Sequence, residues 1–153
     1  MALFRPTPRS SSTWSCWRYS SVVADHPNVA LIRAAYEHFT EGGYVEQAAA
    51  LFSEDVVWRL PGRGPLAGDH RGIEAVVGAI REFERRAAGT LRVEVYDILA
   101  NDTHAVALLR ATGNRAGKRY EALEIDVSHV RDGKITEFWS FSEDQDATDE
   151  FWS

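Results

Sequence analysis

The chain has 153 residues, 44% of them hydrophobic, and a formal net charge of −6, proportions that suit one globular domain with an ordinary core rather than two. An acidic chain lacks the clustered Lys and Arg that nucleic acids and anionic membranes require, so neither is an expected partner. A single cysteine, Cys16, excludes an internal disulfide and a multi-cysteine zinc site and points to a reducing, cytoplasmic compartment; no apolar run approaches the roughly 20 residues that span a bilayer.

Residues 1–24 stand apart. They hold three arginines and no acidic residue, a charge of +3, and taking that from the total of −6 leaves −9 for residues 25–153. The break near Asp25-His26-Pro27 marks the expected boundary between an N-terminal extension (1–24) and a folded domain (25–153). A disordered or non-native extension and an organelle transit peptide both fit this Arg- and Ser-rich, acid-poor composition. A secretory signal fits less well, because Trp14 to Arg18 interrupt any apolar centre.

From Pro27 the pattern becomes regular. Val29, Ile32, Ala35, Tyr36 and Phe39 recur at helical spacing, with Pro27 suited to a first turn and Gly42-Gly43 to a stop. Val45, Ala48, Ala49 and Phe52 predict a shorter second helix that ends at Ser53-Glu54-Asp55, before the β-branched run Val56-Val57-Trp58. Residues 61–65, Pro-Gly-Arg-Gly-Pro, are loop chemistry. Ile73, Val76, Val77, Ile80 and Phe83 define a third helix with charged residues between them, closed by Gly89.

Everything after that reads as an antiparallel meander. Leu91 to Tyr96 alternates, Asn101-Asp102 turns, His104 to Ala111 forms the next strand, and a loop is expected from Gly113 to Gly117. Tyr120 to Val130 and Ile135 to Ser142 form a hairpin about Asp132-Gly133. Helices first and strands later indicate an α+β fold. Alternation along the first strand of that hairpin puts Glu124, Asp126 and Ser128 on one side of the sheet and Ile125, Val127 and His129 on the other. A face that carries carboxylates beside apolar neighbours either solvates them or encloses them in a pocket, where desolvation raises a carboxyl pKa.

The segment Phe52-Ser53-Glu54-Asp55-Val56-Val57-Trp58 after two helices, and Val130-Arg131-Asp132-Gly133-Lys134-Ile135-Thr136-Glu137 between the last long strands, together resemble the SnoaL-like and ketosteroid-isomerase-like group of the nuclear transport factor 2 superfamily over about residues 27 to 145. The resemblance implies a cone: a curved antiparallel sheet wrapped around three N-terminal helices, with an apolar cavity at the wide end. It also implies roles. In the isomerases a helix-one tyrosine and a late-strand aspartate form an oxyanion hole while a second aspartate moves the proton; on this chain Tyr36 and Asp126 match the first two, and the base position reads Leu60. In the related epoxide hydrolases an aspartate stands on the final strand where this chain has Ser140. The SnoaL-like cyclases need one acid/base in an apolar pocket, which Asp126 supplies. The fold hosts several chemistries, so the expected function is cofactor-independent acid/base catalysis of isomerase, cyclase or dehydratase type on a polyketide-, steroid- or terpenoid-like molecule, with a non-catalytic binding or dimerisation module as the alternative.

The residue pattern leaves individual roles open. Tyr36 either packs its ring in the core or presents its hydroxyl to the pocket. Asp126, disfavoured in a β-branched strand by propensity, is either pocket-facing or paired at the surface, and Glu124 either lines the pocket or sits at its rim. Trp58 and Leu60, and Phe138, Ser140 and Ser142, line the cavity on the family pattern. His70 follows a loop and borders the pocket mouth or is solvated. No histidine has a ligand partner at i+3 or i+4, so no metal is expected, and no Gly-rich phosphate cradle implies a nucleotide cofactor. If Phe138, Ser140 and Ser142 face the cavity, Trp139 and Phe141 face outward and need a cover, either a second subunit in a homodimer or the tail from Asp146 to Ser153.

Overall fold

The structure, a computed structural model, describes residues 26–40 and 45–153. The extension expected at 1–24, the Gly42-Gly43 stop and the side chains of Phe39 and Val45 lie outside the described residues. Ten elements follow in the order α1 (Pro27–Thr40), α2 (Val45–Ala49), β1 (Phe52–Leu60), β2 (Gly68–Arg71), α3 (Ile73–Arg86), β3 (Arg92–Ala100), β4 (His104–Arg115), β5 (Lys118–Arg131), β6 (Lys134–Ser142) and α4 (Gln145–Trp152).

The six strands form one α+β sheet in the order β2-β1-β6-β5-β4-β3. All adjacent pairs are antiparallel except β1 and β6, which run parallel with Trp58 beside Phe138. Register shifts interrupt β1 between Phe52 and Val57, β3 between Val95 and Asp97, and β5 between His129 and Val130. The shifts leave one extra residue in β3, one in β6 opposite His129 and Val130, and three in β1, and such insertions bend a strand and raise its twist. The sheet therefore curls without closing.

The helices fill the concave side. Val29, Ile32 and Ala35 form the buried stripe of α1, and Val76 and Ala79 that of α3; Ile32, Ala35, Val76 and Ala79 join Val56 and Trp58 from β1, Leu109 from β4 and Phe138 from β6 in one cluster. The start of α1 is tied down by Asn28, which is buried and donates from Nδ2 to the carbonyls of Asn101 at 2.8 Å and Asp102 at 3.3 Å. A buried amide with both donors met contributes to stability rather than costing it.

Several segments differ from the sequence reading. Phe52 to Asp55 belong to β1, not to the end of a helix, and α2 stops at Ala49. The ring of Phe52 packs 5.6 Å from Phe138, so burial against the sheet outweighs the short helical pattern. Gly68–Arg71, read as the continuation of a loop, is an edge strand on β1. Gly113 remains in the β4 ladder opposite Tyr120, and the turn is confined to Ala116-Gly117, both at positive φ. The tail does not cover Trp139 and Phe141. It forms α4, capped by the Asp144 side chain accepting from Ala147 N at 3.0 Å, and it buries Phe151 and Trp152 on the concave side against Ala87, Ala111, Tyr120 and Ala122.

Candidate active site

Between the helices and the sheet lies a cavity of about 190 Å³. Its floor comes from the even-numbered residues of β5. Tyr120, Ala122, Asp126, Ser128 and Val130 are buried while Leu123 and Ile125 are exposed, so the pleat sends Glu124, Asp126 and Ser128 to one side. Trp58 and Leu60 on β1, and Phe138, Ser140 and Ser142 on β6, supply a wall. Tyr36 enters from α1, Phe83 from α3 and Trp152 from α4.

Aromatic packing makes that wall rigid. Trp58 stacks on Phe138 with ring centroids 5.1 Å apart and leans on Phe83 at 5.7 Å. Its indole N–H donates to Ser140 Oγ at 3.0 Å. Ser140 sits directly across the β5–β6 ladder from Asp126.

At the centre the Tyr36 hydroxyl donates to Asp126 Oδ2. Asp126 is 6% exposed, and its other oxygen, Oδ1, is buried with no hydrogen-bond partner. Burial pushes the Asp126 carboxyl up to about 6, against the opposing influence of the Tyr36 hydroxyl and the nearby Ser140 hydroxyl, which polarises it without reaching hydrogen-bond geometry with Oδ1. Burial, with the charge on Asp126 next, raises the Tyr36 phenol well above its ordinary value, so it remains a donor. Glu124 takes the Tyr120 hydroxyl on Oε1 at 2.7 Å. Burial pushes Glu124 up to about 7, with the Tyr120 hydroxyl opposing and the Asp126 charge adding to the rise. Two carboxyls with elevated pKa values thus share the floor of an apolar hollow.

His70 is not among the residues that line this cavity. Its Nε2 is 2.8 Å from the Leu66 carbonyl and its ring 5.9 Å from Trp58, which leaves it behind the wall. His129 faces the convex side, where it meets His104 and Trp139 edge-on at 4.5 and 4.9 Å and lies 3.5 Å from Glu137. Among the described residues, no group of three or more His, Cys, Asp or Glu could hold a metal ion, and no helix is long and apolar enough to cross a membrane.

The contribution of α4 was not foreseen from the sequence. Gln145, Thr148, Asp149 and Trp152 all line the cavity. Asp149 accepts from the backbone of Arg63 at 2.7 Å and of Gly64 at 3.4 Å, so this helix clasps the loop over residues 61–67. The available signal was Asp144 as a helix cap a few residues before an aromatic pair.

Residues 32–138 match the SnoaL-like domain family. The chain belongs to that family. An uncharacterized protein of Mycobacterium bovis is 33% identical over 132 residues, covering 86% of this chain and all of that protein. Bal32a, from a soil-derived mobile gene cassette, superposes with a TM-score of 0.80 at 29% identity over 83% of this chain and 97% of its own. A putative SnoaL-like polyketide cyclase from Jannaschia superposes with a TM-score of 0.66 at 14% identity over 76% of this chain and 85% of its own, a likeness of fold. The two solved structures share the fold of this chain.

Proposed function

We propose that the cavity binds a hydrophobic, polyketide-, steroid- or terpenoid-like molecule and catalyses a cofactor-independent proton transfer on it, with Asp126 as the acid/base and Tyr36 as its hydrogen-bond partner. The observation that carries this reading is the unpartnered Asp126 Oδ1 in an apolar cavity. A buried polar atom without a partner costs about 1 to 3 kcal/mol, and a ligand carbonyl, enol or acidic C–H offers what it lacks.

The chemistry follows from the protonation states. A carboxyl pushed up to about 6 is mostly ionised at neutral pH yet basic enough to take a proton from carbon next to a carbonyl. Tyr36, held as a phenol, keeps Oδ2 engaged, while Oδ1 has no partner. Such acid/base help contributes roughly 10²- to 10⁴-fold. Trp58, Phe83 and Phe138 offer flat apolar surfaces for rings and exclude water from the carboxyl.

A non-catalytic binding module is the second reading, favoured by Leu60, an apolar side chain at the position the isomerases give to their base. In either case the partner on the convex face is a second copy of the chain. Leu123 (46% exposed), Ile125 (44%) and Phe141 (46%) lie there together, an apolar surface of the kind that marks interfaces.

The test is proton exchange. 2-Tetralone, an apolar bicyclic ketone, incubated in D2O with the protein should lose its α-protons faster than in buffer, and Asp126→Asn should cut the gain at least a hundredfold. No acceleration by the wild-type protein rejects catalysis; binding of 2-naphthol without any exchange would leave the binding module.

A further inference from the structure

The proposed proton transfer uses one carboxyl, and the cavity contains two. Glu124 stands two residues before Asp126 on the same face of β5, roughly 7 Å along the strand. Among the described residues no salt bridge reaches it. One donor holds it, the Tyr120 hydroxyl, which lies 3.2 Å from Thr148 Oγ1; that oxygen is in turn 2.7 Å from Ser142 Oγ. A chain of hydroxyls from β5, α4 and β6 therefore orients Glu124 through Oε1, leaving Oε2 for the cavity. An acid buried for packing alone would be matched by a cation or a full set of donors. The neighbouring Asp126 Oδ1 has no partner.

We infer that Glu124 is a second ligand-contacting acid, and that the ligand is a planar apolar molecule with two oxygen functions on one edge about 7 Å apart, one met by Asp126 and Tyr36 and the other by Glu124. This rests on the ligand-cavity reading above and adds its substrate class. Tyr36, Tyr120, Asp126, Glu84 and Asp149 are the other titratable groups around the cavity, and none is a cation that would lock Glu124 as a bare carboxylate. At neutral pH Glu124 both donates to a carbonyl and accepts from a hydroxyl, since burial holds its pKa up to about 7.

Fluorescence titration at pH 7 of the full chain with 2-naphthol and with 2,7-dihydroxynaphthalene, whose two hydroxyls share one edge at about that spacing, tests the inference. The wild-type protein should prefer the diol roughly tenfold, the value of one hydrogen bond to a charged or partly charged group. Glu124→Leu should bring the ratio of affinities to about one, and Tyr120→Phe, which keeps the ring and removes the orienting hydroxyl, should lower it to a few-fold. Asp126→Asn should weaken both compounds and preserve the ratio. An absent preference in the wild-type protein, or a ratio unchanged in both Glu124→Leu and Tyr120→Phe, overturns the inference while 2-naphthol binding leaves the cavity reading standing. If neither compound binds the wild-type protein, both readings fall.

Discussion

The Tyr36 hydroxyl on α1 and Asp126 Oδ2 on β5 share a hydrogen bond across 90 positions of sequence. That contact lowers the carboxyl pKa against the larger effect of burial. Tyr36→Phe removes the donor and keeps the ring. The Asp126 pKa should then rise further above about 6, moving the acid limb of a pH profile for 2-tetralone exchange to higher pH. An unmoved limb would show that the phenol does not act on the carboxyl.

The same two acids make stability depend on pH. Asp126 and Glu124 are raised above the values they have in an unfolded chain, to about 6 and about 7. Between about pH 4 and pH 7 the folded state thus holds more protons than the unfolded one, and stability falls as pH rises. Asp126→Asn removes one such group, so urea denaturation across this range should give a flatter curve, with the variant gaining roughly 2 to 3 kcal/mol on the wild-type protein between its ends. A parallel pair of curves would contradict the burial of the carboxyl as the cause.

The packing of α4 is testable separately. Trp152 is 6% exposed, edge-on to Phe83 at 4.7 Å and near Tyr120 at 5.8 Å. Trp152→Ala should destabilise the fold by about 3 to 5 kcal/mol, read by chemical denaturation. Asp144→Ala, which removes only the cap, should cost about 1 kcal/mol.

For the convex face, Phe141→Asp places a charge on an exposed apolar position without touching the core. Light scattering should report a dimer for the wild-type protein and a monomer for the variant, with circular dichroism unchanged. A wild-type monomer at all concentrations would remove the proposed assembly.

The sequence made the α+β order legible because its periodicities are long. Val29, Ile32 and Ala35 repeat over a fourteen-residue helix, and β5 alternates for fourteen residues, enough to assign Glu124, Asp126 and Ser128 to one face. That Tyr36 would meet Asp126 was legible only through resemblance, since nothing local ties α1 to β5. Gly68–Arg71 escaped because a four-residue polar edge strand next to a breaker-rich loop carries no apolar alternation. The role of α4 escaped for a related reason. Its eight residues present one aromatic pair, too few turns to define a stripe, and only packing against Tyr120 and Phe83 shows which way the pair turns.

The parallel pairing of β1 with β6 has a kinetic consequence. Trp58 and Ser140, whose side chains bond across it, are 82 positions apart, so the chain must close a very long loop before either gains anything from the other. A ribosome-bound fragment that stops before β6 therefore lacks Phe138, the ring on which Trp58 stacks, and the serine facing Asp126.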